Sequence, residues 1–437
     1  MQAILRMQVV LFMLNDIRRL GLQFGALGLR LVRQNRQFDR FLAEFRQLYA
    51  GPKELFDEWR AEREVRIREF AQTRCAFYRL QALRDQIRVD KQAVRDDPDA
   101  FTAGSRRGIF DLSVRTSGTT GVGLAITSTS EHQAAQAASW WLFRSLYGVS
   151  MDDVGLVIGG RTLPERKGVS GRWVFLRALN QVYVSAFDLT EESISQYLGL
   201  LTRYNVRWIH GYPSAILQIV DFIERRGWVA PAGILLVSTG SESISVEQRL
   251  RLGRAFGAPV SEFYGQVEGV CSMWRCPDGA LHDLGVMGRI DLDEREGFGD
   301  FEIVGSGYWN EAMPLLGYRT GDTILERLDQ CSCGHPYVLA REIEGRIDDY
   351  VVGQDGRKVG RLARLFTLVS GCSDAQLAQR SIGSFELRLG AGGAVDAAEF
   401  KSRLEEMLRE EISLEILRGA EIRRTRSGKV RSVVREF

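Results

Sequence analysis

The pattern of hydrophobic and polar positions differs between two parts of the chain. Over residues 1–90, apolar residues recur at helical spacing among many charged ones, which predicts a mostly helical N-terminal region. From residue 109 to about 320, short apolar runs such as DVGLVIGG and GILLVSTG are separated by segments with helical periodicity, such as SAILQIVDFIERRG. Strands that alternate with helices in this way predict an α/β sheet with helices on its faces.

The C-terminal part of the chain has a different pattern. The segment VVGQDGRKV predicts a hairpin, FELRLG predicts a strand, and Ala397–Glu411 predicts a charged helix that precedes a basic tail. We therefore predict an α/β multidomain protein. A large N-terminal α/β domain would cover residues 1–344, and a small α+β domain would cover residues 345–437.

Length and charge restrict the classes of partner. The chain has 437 residues, enough for two or three domains, and its formal net charge is only +2. This balance gives no argument for nucleic acid or a membrane surface as a partner. The sequence leaves open whether the protein is a monomer or a homodimer.

The N-terminal segment MQAILRMQVVLFMLNDIRRL is apolar but short, and Asp16, Arg18 and Arg19 interrupt it. No small-residue cleavage site follows, and the apolar run is too short to span a bilayer. We expect an amphipathic helix docked on the body of the protein, with a surface membrane anchor as the alternative. We therefore expect a cytoplasmic protein without integral membrane association.

A glycine- and hydroxyl-rich turn, TSGTTG, follows the apolar run IFDLSV. Glycines let backbone amides approach a phosphate closely, and hydroxyls add further donors, so this composition is typical of a phosphate loop. The alternative is a polar hairpin turn. The Walker pattern is absent and the turn contains no lysine, so a phosphate held here would need a cation from elsewhere in the chain.

Four further motifs follow the turn in order. They are YGQVEG with Glu268, GYRTGD ending in Asp322, EGRIDDY with Arg346, and TRSGKVRS with Lys429. In this order and at these separations, the five motifs resemble those of the adenylate-forming acyl ligases. The chain is most similar to the phenylacetate–coenzyme A ligase branch, including its capsule-polysaccharide-type relatives, from about residue 45 to the end.

The resemblance implies a reaction. A small-molecule carboxylic acid would be activated with ATP as an acyl-adenylate, with release of pyrophosphate, and the acyl group would pass to an acceptor. Coenzyme A is the expected acceptor. An amine or hydroxyl in natural-product or polysaccharide biosynthesis is the alternative, and a catalytically degenerate nucleotide- or acyl-binding scaffold is an alternative of another class.

The resemblance also implies the residues that bind ATP and Mg²⁺. Glu268 would hold Mg²⁺, a hard cation that prefers oxygen ligands, and Asp322 would accept hydrogen bonds from the ribose hydroxyls. Arg346 would lie near the ribose or phosphate. The residues expected to line the phosphates are Thr116, Ser117, Gly118, Thr119, Thr120 and Gly121. The residues expected around the adenine are Tyr264, Gly265, Gly240, Ser241 and Glu242.

The cation missing from the phosphate loop would be Lys429, carried by a mobile C-terminal domain. A carboxylate that attacks an α-phosphate brings two anions together, so positive charge is needed at the transition state. Lys429 and Glu268 are therefore the expected catalytic residues, and Asp348 lies where the family has its hinge. His210 and Tyr212 are expected in the acid pocket, although a buried core histidine is the alternative at position 210.

One position departs from the family pattern. The residue before the Mg²⁺ glutamate is usually Ser or Thr, and here it is Val267. A hydroxyl directed at the phosphates is therefore missing. This departure is what keeps the degenerate scaffold open as an alternative.

Six cysteines are present, and four of them lie at positions 271, 276, 331 and 333. A reducing cytosol argues against disulfides, and thiolates with an imidazole suit tetrahedral zinc. Some members of the resembled branch carry a Cys/His zinc site in this part of the chain. We choose Cys276, His282, Cys331 and Cys333 as ligands of a structural Zn²⁺, with Cys271 and His335 as reserves. Buried thiols without a metal are the alternative.

Overall fold

The computed structural model describes residues 20–81, 87–104, 111–115, 124–164, 172–296, 299–346, 350–360, 362–372, 374–424 and 430–437. The chain divides into two compact units. Unit 1 comprises Met1–Leu27, Met151–Val260 and Glu344–Phe437, and unit 2 comprises Gly28–Ser150 and Ser261–Ile343. The predicted domains, 1–344 and 345–437, stay a prediction.

Unit 1 contains five strands of an α/β sheet. Their order is Leu236–Thr239, Val206–Gly211, Val154–Gly159, Gln181–Ser185 and Trp173–Leu176. The first four are mutually parallel, and the last runs antiparallel to its neighbour. The helices of this part are Glu191–Arg203, Pro213–Arg226 and Val246–Phe256. This is the alternation that the sequence predicts.

Local sequence signals set the ends of these helices. Thr190 and Ser245 form capping boxes at two of the N-termini, and Gly227 and Gly257 adopt the left-handed conformation just after two of the C-termini. The apolar faces of the helices and strands meet in one core that includes Tyr197, Ile209, Ile216, Val237 and Leu252. Parallel strands buried on both faces need such nearly continuous apolar runs.

The C-terminal part of unit 1 is α+β, as predicted. Four strands lie in the order Ser413–Arg418, Ser384–Leu389, Ala375–Ser381 and Val433–Arg435. The predicted hairpin pairs Val351–Val352 with Lys358–Val359. The remaining elements are the 3₁₀ helix Leu362–Leu368 and the pair Val369–Ser370 with Ala394–Val395. The charged helix is Ala397–Leu408, three residues shorter than expected, because Arg409 takes a left-handed conformation that ends it.

Unit 2 begins with helices, in agreement with the N-terminal prediction. The chain is helical over 20–33. The helices that follow are Arg36–Ala50, Lys53–Arg74, Ala76–Leu80 and Lys91–Asp96, with the 3₁₀ helix Pro98–Phe101. Helix Arg36–Ala50 buries Phe38, Phe41, Leu42 and Phe45, the stripe that its apolar spacing predicts.

Antiparallel strands and one further helix complete unit 2. The hairpin Leu112–Arg115 with Ala125–Ser128 precedes helix Ser130–Ser145. Four strands lie in the order Val338–Ala340, Leu281–Asp283, Ser272–Arg275 and Val260–Gly265. Three more, Gly288–Arg295, Asp300–Gly307 and Tyr318–Ile324, form an antiparallel meander. A short strand, Ile343–Arg346, follows them in the sequence.

Among the helices that the structure describes, none combines the length and the apolar character that crossing a membrane requires.

Candidate functional site

Two carboxylates of unit 2, with predicted roles in binding Mg²⁺ and the ribose, each accept a hydrogen bond from a tyrosine hydroxyl. Glu268 lies in the turn after strand Val260–Gly265, and its Oε1 accepts a hydrogen bond of 3.0 Å from the Tyr318 hydroxyl. Glu268 is only 8% exposed to solvent. Among the described residues, no hydrogen bond reaches its second oxygen, Oε2. Among the described residues, Glu268 thus uses only one of its two carboxylate oxygens for hydrogen bonding.

Asp322 lies in the same strand as Tyr318, Tyr318–Ile324, four residues further along the chain. The Tyr264 hydroxyl donates to its Oδ2 at 2.8 Å, and its own backbone N–H donates to the Thr320 hydroxyl at 3.1 Å. Burial raises the pKa of Tyr264 well above its usual value, so that this hydroxyl keeps its proton and remains a donor. The structure thus brings together two predicted nucleotide-binding residues from separate motifs.

The turn that carries Glu268 rests on helix Ser130–Ser145. The Gln136 amide donates to the Gln266 carbonyl at 3.4 Å, and the His132 ring lies against Gly269. The Ser128 hydroxyl accepts a hydrogen bond from the Gln133 amide at 2.7 Å and lies 2.7 Å from His132 Nδ1. Burial lowers the pKa of His132 to about 4, and the ring is therefore neutral at physiological pH.

Gly269 offers a sharp test of this packing. Its φ is +64°, and an added Cβ would lie 2.0 Å from His132 Nε2. We expect Gly269→Ala to lower the free energy of unfolding by about 3 kcal/mol, because it combines left-handed strain with a steric overlap against a buried ring. Denaturant unfolding of the purified variant measures this loss.

Gly257 supplies the matched control for that measurement. Its φ is +60°, and an added Cβ would meet nothing within 4 Å. Gly257→Ala therefore isolates the backbone strain, for which we expect a loss of about 1 kcal/mol. Equal losses for the two variants would contradict the packing of His132 against the Glu268 turn.

The predicted adenine and acid residues of unit 1 follow the ends of two parallel strands. Gly240 and Ser241 come directly after Leu236–Thr239, and Ser241 takes a left-handed φ of 71°. Glu242, the next residue, accepts hydrogen bonds from the backbone N–H of Ser214 at 3.1 Å and from the Ser214 hydroxyl at 3.2 Å. The carboxylate thereby caps the helix that starts at Pro213.

The His210 ring contacts the neighbouring strand. The Ser238 hydroxyl donates to the Ile209 carbonyl at 3.0 Å and lies 3.0 Å from His210 Nδ1. Tyr212, two residues on, is the N-cap residue of helix Pro213–Arg226.

The four chosen cysteine and histidine ligands come together in unit 2. Ligand atoms of Cys276, His282, Cys331 and Cys333 all lie within 4.8 Å of one another. The sulfurs of Cys276 and Cys331 are 3.6 Å apart, and the Cys333 sulfur is 3.3 Å from His282 Nε2. Tetrahedral zinc with Zn–S bonds of about 2.3 Å needs ligand atoms separated by roughly 3.8 Å. The cluster therefore has nearly the dimensions of a zinc site.

The surroundings of the cluster also fit a metal. His282 Nδ1 lies 2.8 Å from the Pro336 carbonyl, which is an acceptor, so Nδ1 carries the hydrogen and Nε2 presents its lone pair to the cluster. The reserve Cys271 lies outside the cluster and contacts the Gln266 side chain at 3.3 Å. The other reserve, His335, packs edge-on against the Trp274 ring.

Several predicted residues lie outside the described part of the chain. They include Asp348, Lys429 and the phosphate-loop residues Thr116, Ser117, Gly118, Thr119, Thr120 and Gly121. The backbone of Arg346 ends the strand Ile343–Arg346, but its side chain is not among the described ones. The assigned roles of all these residues stay predictions.

Comparison with known proteins identifies the fold. No family model matches the sequence. A curated relative, Protein CapK of Staphylococcus aureus, is 21% identical over 269 residues, which cover 61% of this chain and 59% of CapK. The chain thus aligns with less than two thirds of that relative's length.

Solved structures of one enzyme align with most of the chain. 2-Hydroxyisobutyryl-CoA ligase in the postadenylation state, in complex with R3-HIB-AMP, matches with a TM-score of 0.65 and 15% identity over 89% of this chain and 91% of that one. The same enzyme with 2-HIB-AMP and CoA in the thioesterification state matches with a TM-score of 0.52 and 16% identity, over the same shares of both chains. The chain therefore has the fold of the adenylate-forming acyl ligases, the superfamily that its five sequence motifs resemble.

Proposed function

We propose that the protein activates a carboxylic acid with ATP and transfers the acyl group to an acceptor, by default coenzyme A. The observation that carries this proposal is the pairing of Glu268 with Tyr318 and of Asp322 with Tyr264, which connects two separate motifs, YGQVEG and GYRTGD, in unit 2. Structures of the same fold hold an acyl-adenylate, in one case together with CoA, and this supports the same ligand classes here.

In the first step, a carboxylate oxygen of the acid attacks the α-phosphorus of ATP. An O–P bond forms, the bond between the α- and β-phosphates breaks, and pyrophosphate leaves. Glu268 would hold Mg²⁺ through the oxygen that Tyr318 does not engage, and the ion supplies charge neutralisation at the phosphates when bound. Asp322 would orient the ribose by accepting its hydroxyl hydrogens, and Lys429 would supply the cation at the transition state.

In the second step, the acceptor attacks the acyl carbonyl and AMP leaves. A thiol acceptor gives a thioester, and an amine or hydroxyl acceptor gives an amide or ester. Specificity for phenylacetate-like acids is suggested only by the sequence resemblance. The acid substrate is therefore to be identified by experiment. His210, whose ring contacts Ser238, would lie in the acid pocket.

We also propose a structural Zn²⁺ at Cys276, His282, Cys331 and Cys333. Four protein ligands complete a tetrahedral shell and leave no position for a substrate, so the metal would stabilise unit 2 and take no part in the reaction. The ligands come from two loops about fifty residues apart, which the metal would tie together.

The proposed activity is tested by pyrophosphate release from ATP and Mg²⁺. Pools of aryl, fatty, amino and sugar-derived acids are each assayed with and without CoA, and a reaction without acid is the control. We expect release that depends on one acid class. Release that becomes catalytic only when CoA is added would identify a thioester product, and release independent of CoA would direct the search to amines and hydroxyls.

The degenerate scaffold is the second candidate, because Val267 is 38% exposed beside Glu268 and offers no hydroxyl. The retained Glu268, Asp322 and Lys429 argue against it. A folded protein that binds ATP but releases no pyrophosphate with any acid pool would favour the scaffold over the enzyme.

A further inference from the structure

The two residues that flank segment 425–429 are held in place by unit 1. Arg424 and Val430 form an antiparallel β-bridge, so the ends of the segment that contains Lys429 lie side by side. We call Arg424 and Val430 the base of the Lys429 segment. The Val430 nitrogen is covalently bonded to the carbonyl carbon of Lys429, and a contact at this nitrogen therefore acts on the peptide unit of the lysine itself.

Glu242 contacts the base at this nitrogen. Its Oε1 accepts a hydrogen bond of 2.7 Å from the Val430 N–H and another of 3.2 Å from the Ser214 hydroxyl. Its Oε2 accepts the Ser214 backbone N–H at 3.1 Å. The carboxylate thus receives donors from two distant parts of the chain, Ser214 and Val430. Burial raises the pKa of Glu242, and these donors oppose that shift by stabilising the anion.

Arg424 anchors the other half of the base to the same helix. Its guanidinium donates to the Ser214 hydroxyl at 3.2 Å and pairs closely with Asp374, which is only 8% exposed. Gln218, one helical turn after Ser214, donates to the same Asp374 oxygen at 3.4 Å. The first two turns of helix Pro213–Arg226 therefore contact Arg424 and its partner Asp374 directly, and are connected to Val430 through Glu242.

The geometry points to Glu242 as a positioning residue for adenylation. It would act through Lys429, because it holds Val430, the residue that follows the lysine in the chain. This inference rests on the proposed function and goes beyond it, since the resemblance places Glu242 only near the adenine. A lysine that must neutralise charge at one phosphate needs accurate placement, and a displacement of about 1 Å can cost roughly a hundredfold in rate.

The test is the substitution Glu242→Gln. Glutamine has nearly the same shape but only one acceptor oxygen, so its NH₂ group would face a donor, either the Ser214 N–H or the Val430 N–H. We expect kcat for acid-dependent pyrophosphate release to fall by about 10- to 100-fold, with the KM for ATP changed less than about twofold. Glu247→Gln is the matched control, because Glu247 is an exposed glutamate five residues on, and it should behave as the wild type.

A double variant separates positioning from a general structural effect. If Glu242 acts through Lys429, then Glu242→Gln combined with Lys429→Ala is no slower than Lys429→Ala alone. Rate losses that multiply would overturn the inference, because Glu242 would then act independently of the lysine. An unchanged kcat in Glu242→Gln, in an active enzyme, would overturn it as well.

Hydrogen exchange tests the contact without any activity. We expect the Val430 amide, resolved by fragmentation mass spectrometry, to exchange at least about tenfold faster in Glu242→Ala, which removes both acceptor oxygens, than in the wild type and in Glu247→Ala. Unchanged exchange would show that Glu242 does not hold the base and would overturn the inference. A wild type with no adenylation but with this protection would instead show that the proposed function has failed while the contact exists.

Discussion

Replacing Lys429 with alanine is expected to reduce acid-dependent pyrophosphate release by about 10²- to 10³-fold. The loss should fall on kcat, because the lysine supplies positive charge where charge develops in the transition state, a contribution of roughly this size for a single preorganised donor. The phosphate loop TSGTTG contains no cation of its own, so no neighbouring side chain of that loop replaces the lysine. Steady-state pyrophosphate release at saturating ATP measures the effect.

Lys401 provides the control for this substitution. It is a lysine of the same C-terminal part, on the helix Ala397–Leu408, and it forms an exposed pair with Glu405 at 3.5 Å. Such a pair contributes little to stability, so Lys401→Ala should keep full activity. Full activity of Lys429→Ala would contradict the assignment of the catalytic cation.

Replacing Cys333 with serine is expected to remove about one equivalent of zinc per chain and to lower the thermal midpoint by at least about 5 °C. The side chain would no longer offer a thiolate. The remaining three ligands would lie close together without the ion that neutralises the charge of the thiolates. Elemental analysis gives the metal content, and calorimetry gives the midpoint. Activity per folded molecule at low temperature should change less than stability, because the proposed metal is structural.

Cys271 is the natural control, since it is also buried in unit 2 but contacts Gln266 and lies outside the cluster. Cys271→Ser should keep the full zinc content. Zinc loss in Cys271→Ser would contradict the ligand set. A wild-type protein that carries no zinc, and whose midpoint does not change with a chelator, would support the alternative of metal-free buried thiols.

The periodic part of the fold was predictable from the sequence. Val206–Gly211 and Pro213–Arg226 appear where the apolar runs and helical spacing place them, because long periodic segments bury one continuous face. The strand Gly288–Arg295 was not predicted. Its charged residues pair with distant ones, Arg289 with Glu64 at 2.8 Å and Asp293 with Arg88 at 2.6 Å. A pattern of neighbouring residues in the sequence contains no information about such long-range ion pairs.

The candidate site, like the fold, was predictable only in part. Motifs identified Glu268, Asp322 and the cysteine cluster, because their chemistry is visible in residue type and order. The residues that hold them were missed. Tyr318 lies inside the motif GYRTGD and His132 lies in the first turn of helix Ser130–Ser145, but neither has a sequence signal for the contact it makes. Asp374 and Arg424 belong to none of the motifs. Their role depends on contacts with Gln218 and Ser214, which lie more than 150 residues away in the sequence.

The most direct test of the central claim is the exchange of labelled pyrophosphate into ATP. This exchange requires reversal of acyl-adenylate formation and needs no acceptor. The account predicts exchange that appears only when an acid is added, that proceeds without CoA, and that Lys429→Ala suppresses. Absence of exchange with every acid class, from a folded protein that binds ATP and Mg²⁺, would contradict the claim that this chain adenylates a carboxylic acid.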